Sequence, residues 1–256
     1  MSKELVVSSQ DYWGETNLGQ SDFAIPRVKI GQPTSDGEAG KFLFNNGQAL
    51  DALLGVKLIV PRKTRVLYHG RGRARCKSDD FFKPSSYVVN PVSSNCQTCF
   101  ASAWDESEEK ARLAAEIGAK DLNKPLCNET YNLLCADMDW NLFFISFQKT
   151  QLTIVKEKLF SRLRSFGKPA FEMMFDMKLV LNQGAGRKWY SVVFDNFLPA
   201  NSPEKGRALW AEYSKVAQQI LSEQHEAMDK EKDVSEPWPT ENDHAPSFNT
   251  DEELPF

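Results

Sequence analysis

Residues 53–60 read LLGVKLIV, and this stretch decides what kind of fold to expect. A short apolar run with several β-branched side chains is typical of a buried strand. Basic residues follow it without a break, and residues 64–76 predict a second strand. We expect these two strands to pair with each other across Pro61, Arg62 and Lys63.

The rest of the chain extends this β pattern and adds three helices. The further predicted strands are 23–30, two within 129–147 joined near Asp137, and a hairpin made of 171–181 and 188–197. The predicted helices are 106–120, 151–166 and a last one that begins at Pro203 and ends near Lys230. Together these elements predict a mainly β protein with peripheral helices (α+β). The more specific expectation is an OB-fold-like barrel, a five-stranded architecture that binds oligonucleotides.

Composition divides the chain into segments. The predicted segments are a flexible N-terminus (1–22), an OB-like domain (23–200) with an insertion (76–127), a C-terminal helix (201–230) and a disordered acidic tail (231–256). The insertion is rich in Pro, Ser and Asn and contains the predicted helix 106–120. The tail has too few apolar residues to form a core.

Charge is distributed unevenly along the chain. The formal net charge is −4, but residues from Glu223 onward hold 11 acidic and 2 basic side chains, whereas residues 1–222 hold 24 acidic and 29 basic ones. A basic body with an acidic tail fits a protein that binds a polyanion. The sequence shows no apolar run of transmembrane length and no secretory signal, so we expect a cytoplasmic protein without a membrane partner.

One stretch, residues 62–77, concentrates cations. Seven of its 16 residues are Lys or Arg, and none is acidic. In a strand, Arg65, Arg71, Arg73 and Arg75 would share one face, and such a row can follow a phosphate backbone. The predicted phosphate-binding residues are Arg62, Lys63, Arg65, Arg71, Arg73 and Arg75, with Arg187 and Lys188 from the last hairpin. The alternative is an ordinary solvated strand face.

Exposed rings are the second requirement for binding single strands, because bases stack on them without regard to sequence. The predicted stacking residues are Tyr68, Trp140 and Trp189. Tyr68 lies inside the basic stretch, and Trp189 follows two basic residues at the mouth of the last hairpin. Phe143 is a weaker candidate. For each of these rings the alternative is a place in the core.

Four of the five cysteines have a metal-binding pattern. Cys96 and Cys99 form a CxxC pair, and Cys76 and Cys127 stand at the two ends of the insertion. A close pair supplies two thiolates to one metal, and two distant cysteines complete a tetrahedral set. A structural zinc would also give the insertion a core that its composition lacks. The alternatives are scattered buried thiols, a redox-active CxxC, and His69 in place of one cysteine.

Catalytic patterns are weak. The chain has three histidines, two of which fall in the last helix and the tail. Its Gly184-Ala-Gly186 lies in a predicted hairpin rather than before a helix, so it does not indicate a phosphate-binding loop. Asp137 and Asp139 come nearest to a metal-dependent nuclease site, although two acids at a turn are usually part of the turn itself. We therefore expect a binding protein and no enzyme.

The sequence ends in Asp251-Glu252-Glu253-Leu254-Pro255-Phe256. Pro restricts the conformations of this tip, Phe can fill a pocket, and the carboxylates can meet Arg or Lys of a partner. The ending resembles the acidic Pro-Phe tip of bacterial single-stranded DNA-binding proteins. With its basic body, the chain resembles a phage-type single-stranded DNA-binding protein.

That resemblance implies non-sequence-specific binding and protection of single-stranded DNA in replication, recombination or repair, in a bacterial host cell. It also implies that residues 251–256 recruit replication, recombination or repair enzymes. Bacterial members of the family are shorter and lack the cysteine insertion, so we expect a monomer or a homodimer. The alternatives are a strand-annealing recombination protein, a metal-dependent nuclease, and an interaction scaffold that binds no DNA.

Overall fold

The computed structural model describes residues 25–33, 38–69, 73–184 and 186–214. The strands in these ranges are β1 (Arg27–Ile30), β2 (Phe42–Phe44), β3 (Ala49–Leu50), β4 (Ala52–His69), β5 (Arg73–Ser78), β6 (Asn128–Ala136), β7 (Leu142–Gln148), β8 (Met173–Gly184) and β9 (Arg187–Pro199). The protein is mainly β, as predicted. The predicted flexible N-terminus, the second half of the last helix and the acidic tail lie outside the described residues.

Three helices of more than one turn accompany the strands in these ranges. Helix α1 is Glu108–Ile117, and α2 is a continuous run of Thr150–Ile154, the π-helical Val155–Phe160 and Ser161–Ser165. Helix α3 occupies residues 203–214 and begins at Pro203, as predicted. None of the helices in the described ranges is long and apolar enough to cross a bilayer.

The strands form one curled sheet in the order β3-β2-β1-β7-β6-β4-β8-β9, and β5 pairs with β4 beside this path. Only β1 and β7 pair in parallel among the described strands. The predicted turn near Asp137 joins β6 to β7, and the predicted last hairpin is formed by β8 and β9. Residues 79–127 connect β5 to β6 and constitute most of the predicted insertion.

Strand β4 is the centre of the sheet and corrects one prediction. It is a single strand of 18 residues, so the predicted hairpin across Pro61 is wrong, and the chain reverses between His69 and Arg73 instead. Along one edge of β4, β8 pairs with residues 52–57 and β5 with residues 65–69. Pro61 is tolerated because, among the described strands, that edge has no partner around it and needs no N–H there.

Helices cover both faces of the sheet. The larger core holds alternate residues of β4, β6 and β7 against the apolar stripe of α2, formed by Val155, Leu159 and Leu163. The smaller core lies on the opposite face and includes Leu209 and Tyr213 of α3. The apolar spacing predicted for residues 151–166 is therefore the packing face of α2, and its other sides face outward.

Two glutamine side chains bond the free edge of β9. Gln32 accepts the Tyr190 N–H at 2.9 Å and donates to the Tyr190 carbonyl at 2.9 Å. Gln151 of α2 donates to the same carbonyl at 3.0 Å and accepts the Val192 N–H at 3.2 Å. These bonds satisfy backbone groups that an edge strand leaves unpaired, and they hold α2 against β9.

Candidate nucleic-acid surface and thiol cluster

The structure brings together the four cysteines of the predicted zinc set. Cys76 lies in β5 opposite Leu67 of β4, and Cys127 immediately precedes β6, which pairs with the other edge of β4. Cys96 and Cys99 come from the loop of the insertion, and all four cysteines line one cavity. Cysteines from three separate segments of the sequence thus lie close together beside β4.

The cavity between the thiols is small. Its volume is about 10 Å³, roughly the space of one water-sized sphere. The other lining residues are Arg65, Lys77, Ser78, Val92 and Ser93. All five cysteines are free thiols, and Cys135 lies apart in the larger core. In the ranges that the structure covers, no three His, Cys, Asp or Glu side chains stand in a ready-made metal-ligand arrangement.

Burial controls the protonation of these thiols. Burial, followed by repulsion from Cys99 and Cys76, raises the pKa of Cys127 to about 12. Burial is also the main cause that raises the pKa of Cys96 and of Cys99. These three thiols are therefore neutral at physiological pH unless a positive charge enters the cluster.

Several donors nevertheless point at the sulfurs. The Ser78 hydroxyl, which donates to Asp80 at 3.2 Å, lies near Cys96. The backbone N–H groups of Ala101 and Ser102 are directed at the Cys99 sulfur and act to lower its pKa. The guanidinium of Arg65 donates to the Cys96 carbonyl. This environment would stabilise thiolates if a cation were present.

The cations of the basic stretch are engaged inside the protein wherever their side chains are described. Arg62 donates to the Ser214 carbonyl, Lys63 and Arg65 pair with Glu129 at 3.0 and 3.1 Å, Arg75 pairs with Glu116 at 3.0 Å, and Lys77 pairs with Asp79 at 3.5 Å. Arg71 and the side chain of Arg73 lie outside the described part. A β-bulge between Leu67 and Tyr68 also interrupts the alternation on which the predicted row relied.

Glu129 organises the best-formed of these ion pairs. Lys63 and Arg65 both reach its carboxylate, and both lie over the ring of Phe81, with Lys63 Nζ at 3.7 Å and Arg65 Cζ at 3.9 Å from the ring centroid. Burial acts to raise the pKa of Glu129, but the hydrogen bonds from Lys63 and Arg65 outweigh it, so the pKa lies below its usual value. Because Phe81 belongs to the insertion, this cluster fastens the insertion to β4.

Helix α2 and its flanking residues carry basic side chains that are mostly exposed and have no ion pair in the described residues. Residues 149–168 hold six Lys or Arg and one acid. The exposed members without an ion pair or side-chain hydrogen bond in the described residues are Lys149, Lys156, Lys158, Arg164 and Lys168. Arg162 lies over the ring of Phe166 at 5.3 Å. None of these residues is among the predicted phosphate contacts, although the basic count of the segment was visible in the sequence.

The tip of the β8–β9 hairpin adjoins this helix. Gln151, in the first turn of α2, bonds the backbone of Tyr190, and Lys188 and Trp189 directly precede that residue. Arg187 and Lys188 are exposed and have no ion pair in the described residues. Trp189 is 36% exposed. The structure therefore brings β9, the strand that carries three of the predicted contact residues, beside the first turn of α2.

The remaining predicted rings lie elsewhere. Tyr68 is 36% exposed near the end of β4. Trp140 is half-buried at the β6–β7 turn, and Lys57 Nζ covers its ring at 4.6 Å from the centroid. Phe143 is 3% exposed, so its candidacy as a stacking residue is wrong. It belongs to the larger core because it points to the α2 side of the sheet.

The Asp137 carboxylate stabilises the β6–β7 turn. Asp137 Oδ1 accepts the N–H groups of Asp139 and Asn141, both at 2.9 Å. Its other oxygen accepts the Asn141 side-chain amide at 3.0 Å. This is the hydrogen-bond pattern by which an Asp side chain stabilises a tight turn.

No protein-family model, curated protein or solved structure matches the chain. The predicted partner-binding tip, residues 251–256, lies outside the described residues. The geometry of the cationic surface and of the thiol cluster is therefore what the structure adds to the sequence.

Proposed function

We propose that this protein binds single-stranded DNA without sequence specificity and protects it during DNA replication, recombination or repair. The observation that carries the proposal is the set of exposed cations on α2, together with the exposed Arg187, Lys188 and Trp189 of β9, the strand beside this helix. Cations neutralise phosphates, and a neighbouring ring stacks on a base. These are the two components that sequence-independent binding of a single strand needs.

The dimensions of the surface support the proposal. Helix α2 has 16 residues, which at 1.5 Å per residue makes it about 24 Å long. Its first turn lies beside Tyr190 of β9, and Phe166 after its last turn packs on Phe197 of β9 at 6.1 Å. Helix and strand therefore run side by side. A surface of this length suits a short run of nucleotides, and a curled, mainly β sheet is compatible with the OB-like barrel that forms part of the proposal.

The end of the β4–β5 hairpin is a second region where DNA can make contact. Tyr68 is exposed there, near the end of β4, and Arg73 is the first residue of β5. Lys63, Arg65 and Arg75 would have to exchange an internal carboxylate for a phosphate before they could take part. We therefore assign the primary contacts to α2 and the β8–β9 tip.

The tail has a separate role in this proposal. The carboxylates, Pro255 and Phe256 of residues 251–256 have the chemistry to occupy a basic, partly apolar pocket of a replication, recombination or repair enzyme. The protein would then act as a monomeric or homodimeric binding protein in the cytoplasm of a bacterial cell, without an enzymatic activity of its own.

Fluorescence anisotropy of a labelled oligo-dT tests the proposal. The full-length protein is titrated at two salt concentrations, with duplex DNA as competitor. We expect tight binding that weakens with salt, with a log–log slope of about −0.7 per phosphate neutralised, and that duplex DNA does not displace.

A protein that lacks residues 231–256 provides the control for interference by the acidic tail. Absence of binding by both proteins would contradict the proposal and favour the interaction scaffold. Cleavage or annealing of the DNA in the presence of magnesium would favour the enzyme alternatives instead.

A further inference from the structure

We propose that Cys76, Cys96, Cys99 and Cys127 bind one structural zinc ion, and that Arg65 positions this centre. The inference does not depend on DNA binding, since it concerns the face of β4 that the insertion covers. Zinc prefers four thiolates in a tetrahedral arrangement at structural sites, and four protein ligands leave no coordination position open for a substrate.

The first argument is convergence. Three segments supply the thiols: strand β5, the loop with the CxxC, and the residue before β6. Each of the four thiols lies near enough to the other three that their ionised forms would repel one another, and the four line one cavity of about 10 Å³. Zinc–sulfur bonds of about 2.3 Å would draw the sulfurs inward around that cavity.

The second argument is the weakness of the insertion without a metal. Residues 79–127 contain one helix of ten residues and one short 3-10 turn among the elements described. Phe82, Val89 and Trp104 are 54%, 80% and 69% exposed, so much of its apolar surface is not packed. Its small core includes Cys76 and Cys99 as buried members. A metal bound by such residues contributes its binding energy to folding.

The third argument is the environment of the sulfurs. Backbone N–H groups of Ala101 and Ser102 are placed to donate to the Cys99 sulfur. Four thiolates around Zn²⁺ carry a net charge of −2. Arg65 brings a positive charge next to this site and donates to the Cys96 carbonyl, which orients the CxxC loop. Partners of this kind orient the ligands of metal sites and tune their affinity.

Metal analysis of the full-length protein is the first test. We expect one zinc per chain in protein purified without chelator, released when a mercurial reagent blocks the thiols. Reconstitution of metal-free protein with Co²⁺ should give the visible spectrum of a tetrahedral tetrathiolate site. Wild-type protein without bound metal and with four freely reacting thiols overturns the proposal. A coloured iron centre in place of zinc overturns the choice of metal.

Variants identify the ligands and the role of Arg65. Cys99→Ser should lose the metal, whereas Cys135→Ala, which removes the one thiol outside the cluster, should retain it. Arg65→Gln should keep the stoichiometry but lower zinc affinity by about 10- to 100-fold in competition with a chelator, the usual effect of losing such a partner.

Lys63→Gln is the matched control for Arg65→Gln. Both side chains pair with Glu129 and lie over Phe81, but only Arg65 contacts Cys96. We expect Lys63→Gln to leave zinc affinity unchanged. An equal loss in the two variants would show that the Glu129 cluster acts only through stability, and the positioning role of Arg65 would be wrong.

Discussion

Two basic regions of this protein carry similar charge in the sequence. In the structure, the cations of one region are paired within the protein, whereas most cations of the other are exposed. Residues 62–77 hold seven cations and no acid, and residues 149–168 hold six cations and one acid. In the first region every described cationic side chain has a partner within the protein. In the second, five exposed cations have no ion pair among the described residues.

The two regions differ because the acidic partners of the first come from distant parts of the sequence. Glu129 is 64 residues from Arg65, and Glu116 is 41 residues from Arg75. Such partners are invisible in a local count of charge. Helix α2 packs one apolar stripe on the sheet, and its cations face away from that contact. Charge density in a sequence therefore locates cations, whereas tertiary packing decides whether a phosphate can reach them.

Neutralising α2 should have the largest effect. In Lys156→Gln/Lys158→Gln/Arg164→Gln, we expect affinity for oligo-dT to fall about 100-fold at low salt and the log–log salt slope to become shallower by about 2, because three phosphate contacts are lost. Anisotropy titrations over a salt series measure both quantities. Arg62→Gln/Lys63→Gln/Arg75→Gln removes the same charge from paired positions and should change the slope little. Equal effects of the two triple variants would contradict the distinction between paired and exposed cations.

Removing the ring at the hairpin tip should have the next largest effect. We expect Trp189→Ala to weaken oligo-dT binding by about 2 kcal/mol, or roughly 30-fold, if one base stacks on it. The salt slope should not change, because no charge is removed. Trp104→Ala is the matched control, since Trp104 is 69% exposed but lies in the insertion. A loss of affinity in Trp104→Ala alone would instead indicate that DNA binds near the insertion and the paired cations of residues 62–77.

Separating α2 from β9 should have a moderate effect on stability. Gln151→Ala removes two hydrogen bonds to the backbone of β9, and we expect it to lower the free energy of unfolding by about 1–3 kcal/mol. Urea denaturation followed by circular dichroism measures this. Gln148→Ala, at an exposed position of β7, should change stability by less than about 0.5 kcal/mol. Equal stability of both variants would show that the edge contact is dispensable.

Acidification should have the smallest effect and should act on the paired region only. The lowered pKa of Glu129 means that its ion pairs stabilise the protein above the unfolded-state pKa of about 4.3, and that this stability is lost as pH falls through the folded-state pKa. Since Glu129 is partly exposed, we expect Glu129→Gln to cost below about 1 kcal/mol near neutral pH.

Urea titrations across the acidic range check the sign of this effect. The stability difference between wild type and Glu129→Gln should persist down to about pH 4 and shrink as the pH falls further. Glu157→Gln makes the same substitution on α2, where Glu157 has no ion pair in the described residues, and serves as the control for removing one carboxylate. A constant difference for Glu129→Gln would show that the ion cluster does not contribute through its charge.

Much of the local structure was predictable. The hairpin of β8 and β9, the pair β6 and β7, helix α1 and the apolar stripe of α2 all follow from periodicity and turn residues, which act over a few neighbouring positions. The grouping of Cys76, Cys96, Cys99 and Cys127 was also predictable, since their residue type and the CxxC spacing do not depend on the path of the chain. The continuous course of β4 through Pro61 was not predictable, because it depends on which strands flank that edge.

The sequence by itself determined that this chain is mainly β, where most of its strands and helices lie, which cysteines belong together and how much positive charge its body carries. The tertiary structure alone decided that Lys63, Arg65 and Arg75 meet carboxylates from β6 and α1, and that the exposed cations of α2 and of the β8–β9 tip have no such partners among the described residues. The physical reason is that backbone preference acts over a few residues, whereas the availability of a charge depends on every side chain that folding brings within a few ångströms of it.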